Sequence, residues 1–225
     1  MSNTSKGKAL KGSKFWMQQC ATVYSNSICG SLGEELKWIS PVPENEYEEY
    51  SLNNIKVLTE IGLNNTHFSF WPARQPQWDA IAIGKITKTL YLFEAKSYPA
   101  EMETSCSATS LESLKLIEAT LKATSKLYGE YNELWKCGYY QLANRLAFLS
   151  KLKELKDCGK KYSDVVLVLL NVVNDNTWDK DHQTTKEKWK EAYAKVYEKM
   201  TISFEKLKQN GVIELFCEPT LQVCK

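Results

Sequence analysis

The sequence contains very little histidine and lacks the motifs of several hydrolase classes. His67 and His182 are its two histidines, and neither lies in a recognisable metal or nucleophile motif. A G-x-S-x-G elbow, the turn that carries the nucleophile of α/β-hydrolases, is also missing. The sequence therefore argues against serine hydrolase and HEXXH metalloprotease activities.

Cysteine pairs of the metal-binding or redox type are missing as well. Seven cysteines are scattered along the chain, and no two of them form a C-x-x-C motif. Neither a zinc knuckle nor a disulfide framework is indicated. We expect reduced and mostly buried thiols.

Long hydrophobic runs do not occur. No stretch approaches the roughly 20 apolar residues that cross a bilayer, and the segment Ser5–Lys11 lacks the apolar centre of a signal peptide. The sequence predicts a cytoplasmic protein that has no membrane partner.

The composition is that of a globular domain. The 225 residues include 43% apolar and 12% aromatic residues, which is enough for one sizeable core. Basic and acidic residues are nearly balanced, at 29 and 27, so any nucleic-acid surface must be local. We expect a flexible basic tail over residues 1–13 and a single domain over residues 14–225.

Hydrophobic periodicity predicts an α/β fold with a mixed β-sheet flanked by helices. Apolar residues with helical spacing alternate along the chain with short runs of β-forming residues. The predicted elements, in chain order, are a helix at 14–39, strands at 56–61, 78–86 and 89–96, helices within 109–155, a buried strand at 163–173, a helix at 184–209 and a last strand at 212–217. The order is αβββαβ followed by a C-terminal helix and strand.

The segment with the clearest chemistry is the predicted hairpin between residues 78 and 96. With a period of two, Asp79 shares a face with the apolar residues of its strand, and Glu94 and Lys96 share a face of the next strand. A carboxylate on an apolar face is costly without a partner, and a shared divalent cation removes that cost. Mg²⁺ prefers hard oxygen ligands with positions left for water and phosphate. The sequence therefore predicts a metal site at Asp79 and Glu94, with Lys96 beside it.

An Asp at the start of one strand and Glu-x-Lys at the end of the next, within an αβββαβ order, resembles the PD-(D/E)xK nuclease superfamily. The element order covers roughly residues 14–173, whereas the motif covers Asp79, Glu94 and Lys96, and Trp78 stands where the family's name has proline. The resemblance implies a restriction-endonuclease-like core and a Mg²⁺- or Mn²⁺-dependent nuclease. In that family the two carboxylates bind the metal and the lysine orients or activates the attacking water.

Further site residues follow from the same resemblance. Many members carry a glutamate on the first helix that points into the site, and Glu35, which shares a helical stripe with Ile28 and Leu32, is the choice over Glu34 for this catalytic and metal-binding role. Many also carry a glutamine on the helix that follows Glu-x-Lys, which corresponds to Gln141.

Basic and aromatic residues offer contacts to nucleic acid. Arg145, one turn after Gln141, could contact the scissile phosphate, and Lys151 could follow the phosphate backbone, although solvated helix faces look the same. Five tryptophans could stack on bases, but most are expected in the core. They are Trp71, Trp78, Trp135, Trp178 and Trp189.

The sequence thus predicts hydrolysis of phosphodiester bonds by metal-activated water. DNA is the substrate that the resemblance favours, and a homodimer is compatible with it, because many relatives act as dimers on two strands. The alternative is a catalytically inactive nuclease-fold module that binds nucleic acid or protein. An unrelated α/β protein in which the Glu-x-Lys motif has no role is a third reading.

Overall fold

The structure is a computed structural model that describes residues 6–156 and 159–218. Seven helices and seven strands are present in these residues, with short 3₁₀ turns between them. The helices are α1 (Gly12–Ala21), α2 (Ser25–Leu32), α3 (Ile55–Ile61), α4 (Leu111–Tyr128), α5 (Tyr140–Glu154), α6 (Lys186–Met200) and α7 (Phe204–Gln209). The strands are β1 (Leu36–Ser40), β2 (Ala80–Gly84), β3 (Leu90–Lys96), β4 (Thr104–Ser105), β5 (Cys137–Gly138), β6 (Val165–Val172) and β7 (Val212–Cys217).

A five-stranded mixed sheet in the order β1-β2-β3-β6-β7 forms the centre of the fold. Strands β1, β2 and β3 are antiparallel neighbours, whereas β6 pairs with β3 and β7 pairs with β6 in parallel. The α4–α5 helices connect β3 to its parallel neighbour, as parallel strands require a crossover. The predicted α/β class with a mixed sheet flanked by helices is confirmed.

The alternation of side chains along β3 divides the core into two layers. Leu90 and Leu92 belong to the larger core, which also contains buried residues of α4, α5 and α6. Tyr91 and Phe93 belong to the smaller core, which is covered by Met17 of α1 and by α2. Since side chains alternate between faces, Glu94 and Lys96 lie on the face that α5 covers.

Two sequence predictions near the N-terminus were wrong. Residues 56–61 form helix α3 instead of a strand, because the Asn54 side chain caps the helix by accepting a hydrogen bond from Lys56 N at 2.9 Å. The predicted helix 14–39 is divided into α1, α2 and β1. Gly33 ends α2 with φ of 80°, a left-handed conformation that glycine adopts without strain.

The segment before α1 contacts the body of the protein. Gly7 N donates to Glu46 O at 2.7 Å, and Ala9 N donates to Gln18 Oε1 at 2.9 Å. The first five residues of the predicted tail lie outside the described residues. No helix in the described residues is long and apolar enough to cross a membrane.

The cysteines are less buried than the sequence led us to expect. Cys20 is buried, Cys137 is exposed, and Cys29, Cys106 and Cys217 lie between these extremes. All five are free thiols. Cys158 and Cys224 lie outside the described residues.

Candidate active site

The three residues of the predicted motif meet at one end of the sheet. Asp79 immediately precedes β2, and its Oδ2 accepts a hydrogen bond from Ala95 N at 2.7 Å. Ala95 stands between Glu94 and Lys96 in β3, so this bond places the Asp79 carboxylate beside both. The predicted hairpin therefore brings the three side chains together.

Glu94 is held between two cationic side chains. Its Oε1 accepts a hydrogen bond from Lys96 Nζ, and its Oε2 accepts one from Arg145 Nε at 2.6 Å. Burial raises the pKa of Glu94, but the charges of Arg145 and Lys96 outweigh it and hold the pKa below its usual value. Glu94 is thus an ionised carboxylate in a nearly closed environment.

Gln141 lies beside Lys96, on the helix that covers this face of the sheet. Its Oε1 accepts a hydrogen bond from Lys96 Nζ at 3.1 Å. Its backbone N donates to Thr104 Oγ1 at 2.8 Å, which fixes the first turn of α5. Gln141 therefore holds the Lys96 ammonium independently of Glu94.

Arg145 has a different role from the predicted phosphate contact. Its side chain is 2% exposed, so a phosphate cannot reach it in this arrangement. It donates to Gln77 O at 2.6 Å and lies 4.3 Å from the ring of Trp78, besides its bond to Glu94. Arg145 positions Glu94 and the chain that leads into Asp79.

Glu35 does not lie at the site. It precedes β1 and is not on a helix, and its Oε2 accepts a hydrogen bond from Lys85 Nζ at 2.8 Å. Lys85 belongs to the β2–β3 turn, so the length of β2, roughly 17 Å, separates Glu35 from Asp79. Glu34 lies at the same turn, where it accepts a hydrogen bond from Thr87 N at 3.1 Å. The prediction failed because residues 34 and 35 lead into a strand, so helical angles do not apply.

Glu49 is a carboxylate of the site that the sequence did not reveal. Tyr50 forms an isolated antiparallel β-bridge with Trp78. The bridge brings the neighbouring residues Glu49 and Asp79 alongside each other. Burial raises the pKa of Glu49 against the opposing effect of Lys14, and the charge of Glu94 adds to the rise. A single bridge in an irregular segment has no periodic signal, so no sequence pattern pointed to Glu49.

Lys151 lies near the C-terminal end of α5, whereas Gln141 lies near its N-terminal end. Its Nζ donates to Glu154 Oε2 at 2.8 Å, and the pair is partly exposed. Lys151 therefore belongs to a surface ion pair near the end of the helix. The structure does not bring it together with the residues of the motif.

The pKa of Asp79 is raised far above its usual value. Burial and then the charge of Glu94 raise the pKa of Asp79 to about 8, against a smaller lowering by Lys96. The two carboxylates therefore repel each other, and a proton or another cation relieves that repulsion.

This shift predicts a stability that falls as pH rises. Between about pH 4 and pH 8 the folded chain keeps a proton on Asp79 that the unfolded chain releases, so deprotonation across this range favours unfolding. Urea unfolding of the wild type and Asp79→Asn at about pH 5 and pH 8 should show a larger loss for the wild type at the higher pH. An equal change in both proteins would mean that the pKa of Asp79 is ordinary.

The donor set suits a hard divalent cation. Asp79 and Glu94 offer carboxylate oxygens, and Mg²⁺ commonly binds through one or two carboxylates together with water and phosphate oxygens. In the part of the chain that the structure describes, no group of three or more His, Cys, Asp or Glu side chains is arranged to hold a metal ion. Glu94, Lys96 and Gln141 line a cavity of about 20 Å³, the space of roughly one water molecule.

Comparison with known proteins identifies no relative of this chain. No protein-family model, no curated protein and no solved structure matches the chain.

Proposed function

We propose that this protein is a metal-dependent nuclease of the PD-(D/E)xK type that hydrolyses phosphodiester bonds. The observation that supports this most is the hydrogen bond from Ala95 N to Asp79, which sets one carboxylate beside Glu94 and Lys96. The proposal keeps the predicted trio and replaces Glu35 by Glu49 as the additional acid.

The arrangement of elements supports the same proposal. Helix α1 covers one face of an antiparallel β1-β2-β3 meander, and α5 covers the other face before the chain continues into the parallel strand β6. Apart from α3, which lies between β1 and β2, this is the αβββαβ order of the resemblance, with β1 in place of the strand predicted at 56–61. We assign the chain a restriction-endonuclease-like core on that basis. The motif residues lie where β2 begins and β3 ends.

Each residue of the site would have a separate role in the reaction. Asp79 and Glu94 would hold Mg²⁺ or Mn²⁺, which supplies polarisation of the phosphoryl oxygen and a lowered pKa of the attacking water. Lys96 has Gln141 as a partner besides Glu94, so it would stay in place to donate to the attacking water or to the scissile phosphate if Glu94 held the cation. Glu49 is close enough for its charge to raise the pKa of Asp79, so in its ionised form it would add to the attraction of a cation.

A second candidate is a nuclease-fold module that binds nucleic acid or protein without cleaving it. The observation that favours it is the engagement of both Glu94 oxygens by Lys96 and Arg145. A protein that uses this ion-pair network only for stability would have no need to release Glu94. Cleavage decides between the two candidates.

The test is a cleavage screen with purified protein on single-stranded, double-stranded and branched DNA and on RNA. We expect products with Mg²⁺ or Mn²⁺ and none with EDTA. Glu49→Gln should lower the rate about 10- to 100-fold, as supporting residues of metal sites do. Glu35→Gln is the matched control, because Glu35 is exposed at the other end of β2, and it should leave cleavage unchanged.

Three results would contradict the proposal. Absence of cleavage of every substrate with either metal would favour the binding module. Cleavage that persists in EDTA would exclude the metal-dependent mechanism. A larger loss in Glu35→Gln than in Glu49→Gln would mean that the acids are wrongly assigned.

A further inference from the structure

One of the five tryptophans considered for base stacking differs from the others in exposure. Trp71, Trp78, Trp135 and Trp189 are buried in the larger core, where they cannot meet a ligand. Trp178 is partly exposed in the segment between β6 and α6. It is the one member of the set that is not buried.

Trp178 belongs to an aromatic cluster that also contains Tyr98 and His182. The ring centroids of Tyr98 and His182 are 5.0 Å apart, and those of Trp178 and His182 are 5.7 Å apart with the rings tilted by 36°. Tyr98 meets Trp178 edge-on at 5.9 Å. Tyr98 is partly exposed and His182 is exposed, so the cluster offers aromatic surface to solvent.

The cluster is attached directly to the candidate active site. Tyr98 follows Lys96 by two residues, which span at most about 7 Å. Between them, Ser97 Oγ donates to Asp175 Oδ2 at 2.6 Å. If Lys96 contacts a phosphate, as the proposed function requires, a base on the aromatic cluster would lie about one nucleotide from it.

Buried hydrogen bonds hold the cluster in place. Asp175 is fully buried, and its Oδ1 accepts hydrogen bonds from Trp16 Nε1 at 2.7 Å and from Thr177 N at 2.8 Å. Thr177 Oγ1 in turn accepts a hydrogen bond from Gly12 N at 2.9 Å. The end of β3 and the start of α1 thus fix the chain just before Trp178, and a rigid aromatic surface loses little entropy when it binds.

Basic and acidic residues near the cluster are balanced, so stacking on the rings is a better basis for binding nucleic acid than attraction of its negative charge. Lys11 Nζ lies 4.0 Å from the ring of Trp178. Lys180 is the one lysine or arginine of the segment between β6 and α6, and its neighbours in the sequence are Asp179 and Asp181. Because Lys11 lies over the Trp178 ring, a base would stack on the ring surface of the cluster that remains exposed, and each base has a π-face that can do so.

We infer that the aromatic cluster of Tyr98, Trp178 and His182 binds an unpaired nucleobase beside the phosphate that Lys96 contacts. The inference rests on the proposed function and names its substrate class, a single-stranded nucleic acid. A base in an intact duplex is already stacked on its neighbours and must leave the stack to reach the cluster. Single strands, frayed ends and unpaired flaps meet this requirement.

The experiment measures binding without cleavage. A fluorescein-labelled homopolymeric single strand of about six nucleotides, as DNA and as RNA, is titrated with the full-length protein in EDTA and followed by anisotropy. Trp178→Ala should weaken binding by roughly tenfold, the effect of losing one stacked base. Trp178→Phe, which keeps an aromatic face, should restore most of the affinity.

Two controls separate stacking from other effects. Phe204→Ala removes an exposed aromatic ring that also has a lysine over it, Lys208 at 4.3 Å, but lies on α7. It should bind like the wild type. An abasic single strand of the same length should bind wild type and Trp178→Ala equally, because it offers phosphates without bases.

The outcomes distinguish this inference from the proposed function. Equal binding by wild type and Trp178→Ala, a preference for blunt duplex, or no binding of any single strand would overturn the base-binding role, even if metal-dependent cleavage is observed. Trp178-dependent binding with no cleavage under any condition would support the base-binding role and reject the nuclease.

Discussion

Lys96→Met should reduce metal-dependent cleavage by about 100- to 1,000-fold, the loss expected when one group that stabilises developing charge is removed. Methionine keeps the unbranched length of the side chain and lacks the ammonium group that Glu94 and Gln141 now share. The rate should fall in single-turnover assays with saturating enzyme, because the lost interaction acts on the chemical step. Affinity for a single strand in EDTA should change far less.

The control for Lys96→Met is a lysine that also pairs with a glutamate but lies on the surface. Lys37 Nζ is 2.6 Å from Glu60 Oε2, and both side chains are exposed. Lys37→Met should cleave at the wild-type rate. Unchanged cleavage in Lys96→Met would remove the lysine from the mechanism. If Lys96→Met does not fold, Asp79→Asn provides the second test, since it removes an acid that would bind the metal while keeping the shape of the side chain.

The central strands were predictable because their signals are local. Residues 165–172 form a continuous run of Val, Leu and Asn that is buried on both faces, and β7 occupies the predicted range Val212–Cys217. The hairpin of β2 and β3 follows from alternation, which also placed Asp79 on the face of Glu94 and Lys96. A period of two determines which side chains share a face, so the trio could be predicted without coordinates.

The remaining parts of the site depend on contacts between distant segments. Strand β1 pairs with β2 over forty residues later, and its apolar residues had fitted a helical stripe equally well. Glu49 reaches the site through the bridge between Tyr50 and Trp78, which no local pattern encodes. The burial of Arg145 depends on how α5 packs on the sheet, and a sequence does not show which lysines and arginines that packing encloses.

Arg145→Ala should lower the free energy of unfolding by about 3–5 kcal/mol, the cost of removing one partner from a buried ion pair. The substitution leaves Glu94 with Lys96 alone and deprives Gln77 O of a donor 2.6 Å away. It also removes the guanidinium that packs on Trp78. Urea unfolding followed by circular dichroism measures the loss.

A surface ion pair provides the comparison for the loss of stability in Arg145→Ala. Lys122 and Glu118 form an exposed i,i+4 ion pair on α4, and Lys122→Ala should destabilise the protein far less than Arg145→Ala, because water screens an exposed pair. A loss in Arg145→Ala no greater than that in Lys122→Ala would mean that Arg145 does not compensate the charge of Glu94.

A double substitution separates stability from function at the same position. Buried ion pairs can often be replaced by apolar residues of similar size at little cost, since both charges then avoid desolvation. Glu94→Leu combined with Arg145→Met should therefore be more stable than Arg145→Ala, and a double-mutant cycle should give a coupling of more than about 0.5 kcal/mol. The double variant should nevertheless fail to cleave nucleic acid with Mg²⁺. If the double variant regains stability but not activity, leucine and methionine can replace the two buried charges in the fold. The ion pair would then be required for cleavage and not for folding.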